Sequence, residues 1–193
     1  MPKFIKNYWF NPDCVGVSEI RTRFKTTEAT TRKMVTVAFL ATLSSIFQSM
    51  GGLLPGIGYL ISPLATAPIM LSTIFSFRSG LTAYILTIFL LFFIQPSELI
   101  IFPFTTGLLG LGIGSSLLYF KTRLSAVLVG SFSLLGGILL VLYVFQFPVL
   151  GPIASSTFSL STIALVYVFS FFYSWLWIEI SKYCIKKISK VIT

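Results

Sequence analysis

Histidine is absent from this chain of 193 residues, and only two cysteines and five acidic residues are present. Without imidazole, the Ser-His nucleophile and histidine acid–base chemistry are excluded, and most transition-metal sites with them. Cys14 and Cys184 fall in polar, basic tails expected in the cytoplasm, where thiols stay reduced, so neither a disulfide nor a metal pair is expected. The acids are scattered. Asp13, Glu19 and Glu28 lie near the N-terminus, whereas Glu98 and Glu179 stand alone farther on. Membrane hydrolases and lipid transferases need histidine, paired acids or an activated nucleophile, so an enzyme is not expected. No GxxxxGK[ST] run occurs, which excludes ATP binding through a P-loop.

Charge is also scarce. Only 10% of residues are charged, against about 25% in a soluble domain. Hydrophobic residues make up 55% of the chain, and its mean hydropathy is +0.94. The bilayer must therefore be the main solvent. A net charge of +9 would suit nucleic acid. The cations, however, sit in the tails and at the edges of apolar runs, where they orient helices and attract anionic lipid. Membrane lipid, and not nucleic acid, is the expected partner.

What the chain does contain is apolar runs. A spanning helix needs about 20 apolar residues, or ~17 in a short case. Six runs qualify or come close: about 34–50, 59–77, 81–94, 99–120, 126–147 and 158–181. Pro63 and Pro68 interrupt the second, which should kink or unwind inside the bundle. Laid out this way, all fourteen Lys and Arg fall in the two tails and in the second and fourth connections. The first, third and fifth connections have none. Cytoplasmic loops retain Lys and Arg during insertion. The expected fold is thus an all-α integral membrane protein with six transmembrane helices and both termini cytoplasmic. Its parts are a basic tail at 1–33, a membrane domain at 34–182 and a second basic tail at 183–193. The first tail lacks the apolar core of a cleavable signal peptide, so the first helix is expected to act as its own insertion signal. Trp175 and Trp177 are expected at the cytoplasmic interface.

Small residues mark where helices approach one another in lipid. Ala38, Ala41, Thr42 and Ser45 form a stripe on the first helix. Gly107, Gly110, Gly112 and Gly114 crowd the fourth, and Gly130, Gly136 and Gly137 the fifth. Either set serves packing within the bundle or docking of another membrane subunit.

A solute pocket needs a few polar groups beside apolar walls. On the external half these are Gln48 and Ser49, Tyr59 and Ser62, Gln95, Ser97 and Glu98, Tyr143 and Gln146, and Ser155, Ser156 and Thr157. The candidate ligand-binding set is Gln48, Tyr59, Gln95, Glu98, Tyr143 and Gln146. The plainer roles are headgroup contact for the glutamines, interface anchoring for the tyrosines, and for Glu98 a solvated helix start favoured by the macrodipole. With no external Lys or Arg to hold a phosphate or carboxylate, a neutral or cationic solute is favoured over an anion. Neither a metal nor a cofactor is expected.

The stretch from Thr31 through Ser44, TRKMVTVAFLATLS, resembles the opening of substrate-binding S components of energy-coupling-factor transporters. Pro103 through Gly114, followed by Lys121 and Arg123, is similar to their Gly-rich fourth helix and cytoplasmic turn. Phe77-Arg78-Ser79-Gly80 is similar to their second turn. A YybS-like membrane protein group shares much of this pattern. One departure is on the first helix, where the family's Ala-x-x-x-Ala becomes Ala38 with Thr42 and Ala41 with Ser45. The resemblance implies capture of a vitamin or vitamin precursor at the outer face of a bacterial plasma membrane. It also implies a T-type membrane subunit and two cytoplasmic ATPases as partners, with Ala38, Ala41, Thr42 and Ser45 as the docking stripe. Two other readings stand beside it: a solo secondary transporter, disfavoured by the lack of a mid-depth ionisable group, and an assembly or regulatory subunit without a solute.

Overall fold

The computed structural model describes residues 8–9, 17, 21–22, 24, 30–54, 56–120, 122–146 and 160–192. Among them there is no strand, and six helices are long and apolar enough to cross a membrane. The first span is α1 (Thr30–Leu53). The second joins α2 (Gly58–Ile61), a 3-10 turn (Ser62–Ala65) and α3 (Thr66–Phe75). The third is α4 (Phe77–Ile94), and the fourth joins α5 (Glu98–Phe104) to α6 (Thr106–Tyr119). The fifth is α7 (Arg123–Tyr143), and the sixth lies within α8 (Leu160–Ile192). The shortest spans have 18 residues, about 27 Å at 1.5 Å per residue, close to the thickness of the hydrocarbon layer.

Several boundaries differ from the sequence reading. α1 starts at Thr30, so the cut between tail and membrane domain at 34 falls inside a helix. The third span gains a turn at its start, because Ser76, in extended conformation, ends α3 and lets α4 begin at Phe77. The basic stretch after 182 continues α8 as helix. Among the described N-terminal residues, Val17 and Phe24 are buried, and Phe24 stacks on Phe75 with ring centroids 4.4 Å apart. Trp177 is buried in the core with Ile178 and Ile185, while Trp175 is partly exposed.

Two spans are broken. In the second, Pro63 sits in the 3-10 turn and Pro68 in the first turn of α3. The Ser44 hydroxyl donates to the Ala65 carbonyl at 2.9 Å, supplying a protein partner at the break. The fourth span was expected to be continuous, yet it breaks at Thr105 (φ −117, ψ −96). Pro103, inside α5, cannot donate to the carbonyl four residues earlier. Neighbours then meet the displaced carbonyls. The Tyr84 hydroxyl donates to Pro103 at 3.0 Å, and the Phe104 carbonyl lies against Gly137, filling the place a Cβ would take.

The glycines of α6 pack within the molecule. A Cβ on Gly110 would come 2.9 Å from the Thr66 carbonyl, and one on Gly114 2.6 Å from Thr73 Cβ, so this pair seats α6 on α3. Gly112 faces Ser133 of α7, and Gly130 of α7 faces Ile113 and Ser174. Outward-facing Ile85, Phe89 and Phe93 on α4, with Val168 and Phe172 on α8, give the bundle its apolar exterior.

The chain reverses between successive spans, so the described cations Arg32, Lys33, Arg78, Arg123, Lys182 and Lys186 gather at one end. Arg123 pairs there with Glu179 at 3.4 Å and lies over the Tyr8 ring at 4.2 Å, while the Tyr8 hydroxyl donates to Glu179 at 2.8 Å. The opposite end carries Gln95, Ser97 and Glu98, and no Lys or Arg falls in the connections there.

Candidate functional site

The uncharged end holds a polar chain running between the first and fourth spans. α1 carries Gln48 to the bundle interior, where it has no exposed surface. Its Nε2 donates to Glu98 Oε2 at 2.7 Å, and its Oε1 accepts from the Thr106 hydroxyl at 2.7 Å. These bonds fix the amide in one orientation, with its oxygen toward the hydroxyl and its nitrogen toward the carboxyl. Glu98 opens α5 and is only 6% exposed. The other carboxyl oxygen, Oε1, lies beside Gly51, as does Ser62: a Cβ built on Gly51 would be 3.0 Å from Oε1 and 3.2 Å from Ser62 Cβ. Glycine at 51 lets both groups approach the backbone of α1.

Glu98 forms part of the wall of a cavity of about 250 Å³ between the second, fourth, fifth and sixth spans. Its polar wall is Tyr59, Ser62, Glu98, Thr105 and Thr106. Pro63, Ile101, Leu134, Ile138 and Phe169 supply the apolar wall, and Tyr173 contributes a third aromatic ring. The breaks in the second and fourth spans shape this space: Pro63 lies in the 3-10 turn, and Thr105 is the residue at which α5 gives way to α6. A few polar groups against aromatic and aliphatic walls, in a space below the ~300–1,000 Å³ of drug-sized pockets, suit a small solute.

The sequence-derived candidates divide. Glu98 and Tyr59 line the cavity, and Gln48 stands directly behind Glu98. Gln95 instead donates to Ser97 Oγ at 2.9 Å within its own turn, outside the lining. Tyr143 ends α7 outside the lining, and Gln146, three residues on, has a positive φ of 52° and an exposed side chain. Ser155, Ser156 and Thr157 lie outside the described residues. Thr105, Thr106, Phe169 and Tyr173 were not singled out as site residues. The first two had a signal, Pro103-Phe104-Thr105-Thr106-Gly107 in an apolar run, which weakens a helix there. Phe169 and Tyr173 had none, because aromatics in an apolar helix look like lipid-facing residues.

The proposed docking stripe also divides. Ala38 and Thr42 are exposed, with the Thr42 hydroxyl donating to the Ala38 carbonyl at 2.9 Å. Ala41 and Ser45 are fully buried, and Thr87 of α4 donates to the Ala41 carbonyl at 3.2 Å. The four lie on one stripe about 100° wide, and the edge of the bundle runs along it: the inner pair is occupied by α4, while the outer pair stays exposed.

The chain matches no known family model, no curated protein and no solved structure. The resemblance to the S components rests on the residues quoted for it alone.

Proposed function

We propose that this chain is the substrate-capture subunit of an uptake transporter for a small micronutrient, powered by partner ATPases. The observation that carries this reading is the cavity at the uncharged end, with the nine-tenths-buried carboxyl of Glu98 in its wall. The positive-inside rule puts that end outside and the cationic end in the cytoplasm. The solute enters the cavity from the exterior and is held between the second, fourth, fifth and sixth spans. The chain has no P-loop sequence, so on this reading the energy for release comes from other subunits, a T-type membrane protein and two ATPases. Ala38, Thr42 and their exposed neighbours Val35 and Phe39 offer the T-type subunit an outward face on α1. A solo secondary carrier and an assembly subunit without a solute are the readings it competes with.

Native mass spectrometry of the detergent-solubilised protein tests this. The expected result is a bound small molecule, or co-purification with an ATPase and a second membrane subunit. Finding neither, in cells that express the partners, would turn the reading to an assembly subunit.

A further inference from the structure

We propose that the solute carries a protonated amine, which pairs with Glu98 Oε1, and that Gln48 and Thr106 are positioning residues for that contact. The inference rests on the solute-capture reading and adds the head group. Its starting point is a buried carboxyl with no cation among the described residues that line its cavity. Glu98 is nine-tenths buried at the end of a membrane bundle, and no described lining residue is cationic. The connections at that end, 54–57, 95–97 and 144–159, contain no Lys or Arg. A buried carboxylate is costly unless a positive group is brought to it.

Geometry leaves one oxygen for that purpose. Oε2 already accepts from Gln48, whose amide is held by Thr106. Oε1 lies beside Gly51, as does Ser62 of the cavity wall. An ammonium N–H directed at Oε1 would make a charge-assisted hydrogen bond, the strongest single contact this wall offers. Phe169 and Tyr173 complement it, since aromatic faces attract organic cations as well as apolar bodies. An anion would meet the carboxylate with no Lys or Arg to offset it. A neutral alcohol would fill the space without supplying the missing charge.

Three probes of one shape test this: benzylammonium, benzyl alcohol and benzoate, titrated into the full-length protein in lipid nanodiscs by calorimetry. Benzylammonium is expected to bind at least about tenfold more tightly than benzyl alcohol, the difference expected of one desolvated charged contact, and benzoate should not bind. Glu98→Gln should remove that preference, so that amine and alcohol bind with similar affinity. Thr106→Val, which keeps the side-chain shape, should reduce the ratio of amine to alcohol affinity severalfold through Gln48. Equal affinity of wild-type protein for amine and alcohol would overturn the head-group assignment while leaving solute capture standing, and this comparison needs no variant. If the folded wild-type protein binds none of the probes and carries no native ligand, solute capture itself fails, and the head group with it.

Discussion

Gln48 carries more of the site's order than its sequence neighbours suggest. It receives one hydrogen bond and donates another, and both partners are largely buried. Gln48→Leu would leave the Thr106 hydroxyl and Glu98 Oε2 without their partner, at about 1–3 kcal/mol for each buried polar group left unsatisfied. Thermal unfolding in detergent should show a markedly lower midpoint for this variant than for the exposed control Gln146→Leu. Gly51 works at the same scale by a different force. Gly51→Ala places a methyl 3.0 Å from Glu98 Oε1 and 3.2 Å from Ser62 Cβ, so the carboxyl must shift. The expected outcome is weaker solute binding with little loss of helix content, measured as uptake against circular dichroism.

At the scale of elements, the broken fourth span depends on the fifth. The Phe104 carbonyl occupies the space beside Gly137, whereas Gly136, one residue earlier, has open space where a Cβ would be. The two glycines are thus a matched pair for experiment. Gly136→Ala should be neutral or stabilising by up to about 1 kcal/mol, since alanine favours helix. Gly137→Ala should cost about 1–3 kcal/mol or more by overpacking and disturb the cavity beside it. Equal stability of the two variants, read from chemical unfolding in detergent, would contradict the close approach of α5 and α7. The same logic revises the docking test on α1. Ala38→Trp alters an exposed site and should block partner association while the protein stays folded. Ala41→Trp must displace α4 and should fail to accumulate, so it does not report on docking.

At the scale of the whole molecule, cations gather at one end, and Tyr59, Ser62 and Glu98 of the cavity wall lie toward the other. Single cysteines introduced at Arg78 and at Ser97, in a background lacking Cys14 and Cys184, should label from opposite sides. In intact cells an impermeant maleimide is expected to reach position 97 and to spare position 78. Labelling at 78 would invert the protein and place the cavity toward the cytoplasm. The N-terminal residues add to the cationic end, where Tyr8 and Arg123 converge on Glu179 and Phe24 lies on Phe75. This part of the chain, read from sequence only as a basic tail, contributes buried apolar residues to the bundle.

Span number was legible in the sequence because length and apolarity are local quantities, and a bilayer demands both of every crossing. The kink of the second span was legible for the same reason, through Pro63 and Pro68. The break at Thr105 was not read, although Pro103 lay in view, because a single proline only weakens a helix; the hydroxyl that Tyr84 supplies and the space that Gly137 leaves decide that it opens. Glu98 could be chosen from the sequence as the one acid at the uncharged end. Its bond to Gln48, fifty residues away, required the first and fourth spans to meet. The sequence alone determined a helical membrane chain with its cations segregated, because those are consequences of transfer from water to lipid. Only the tertiary structure decided which polar groups share the cavity, and that Ala41 and Ser45 face inward, because helix rotation is settled by which small residues admit a neighbouring backbone.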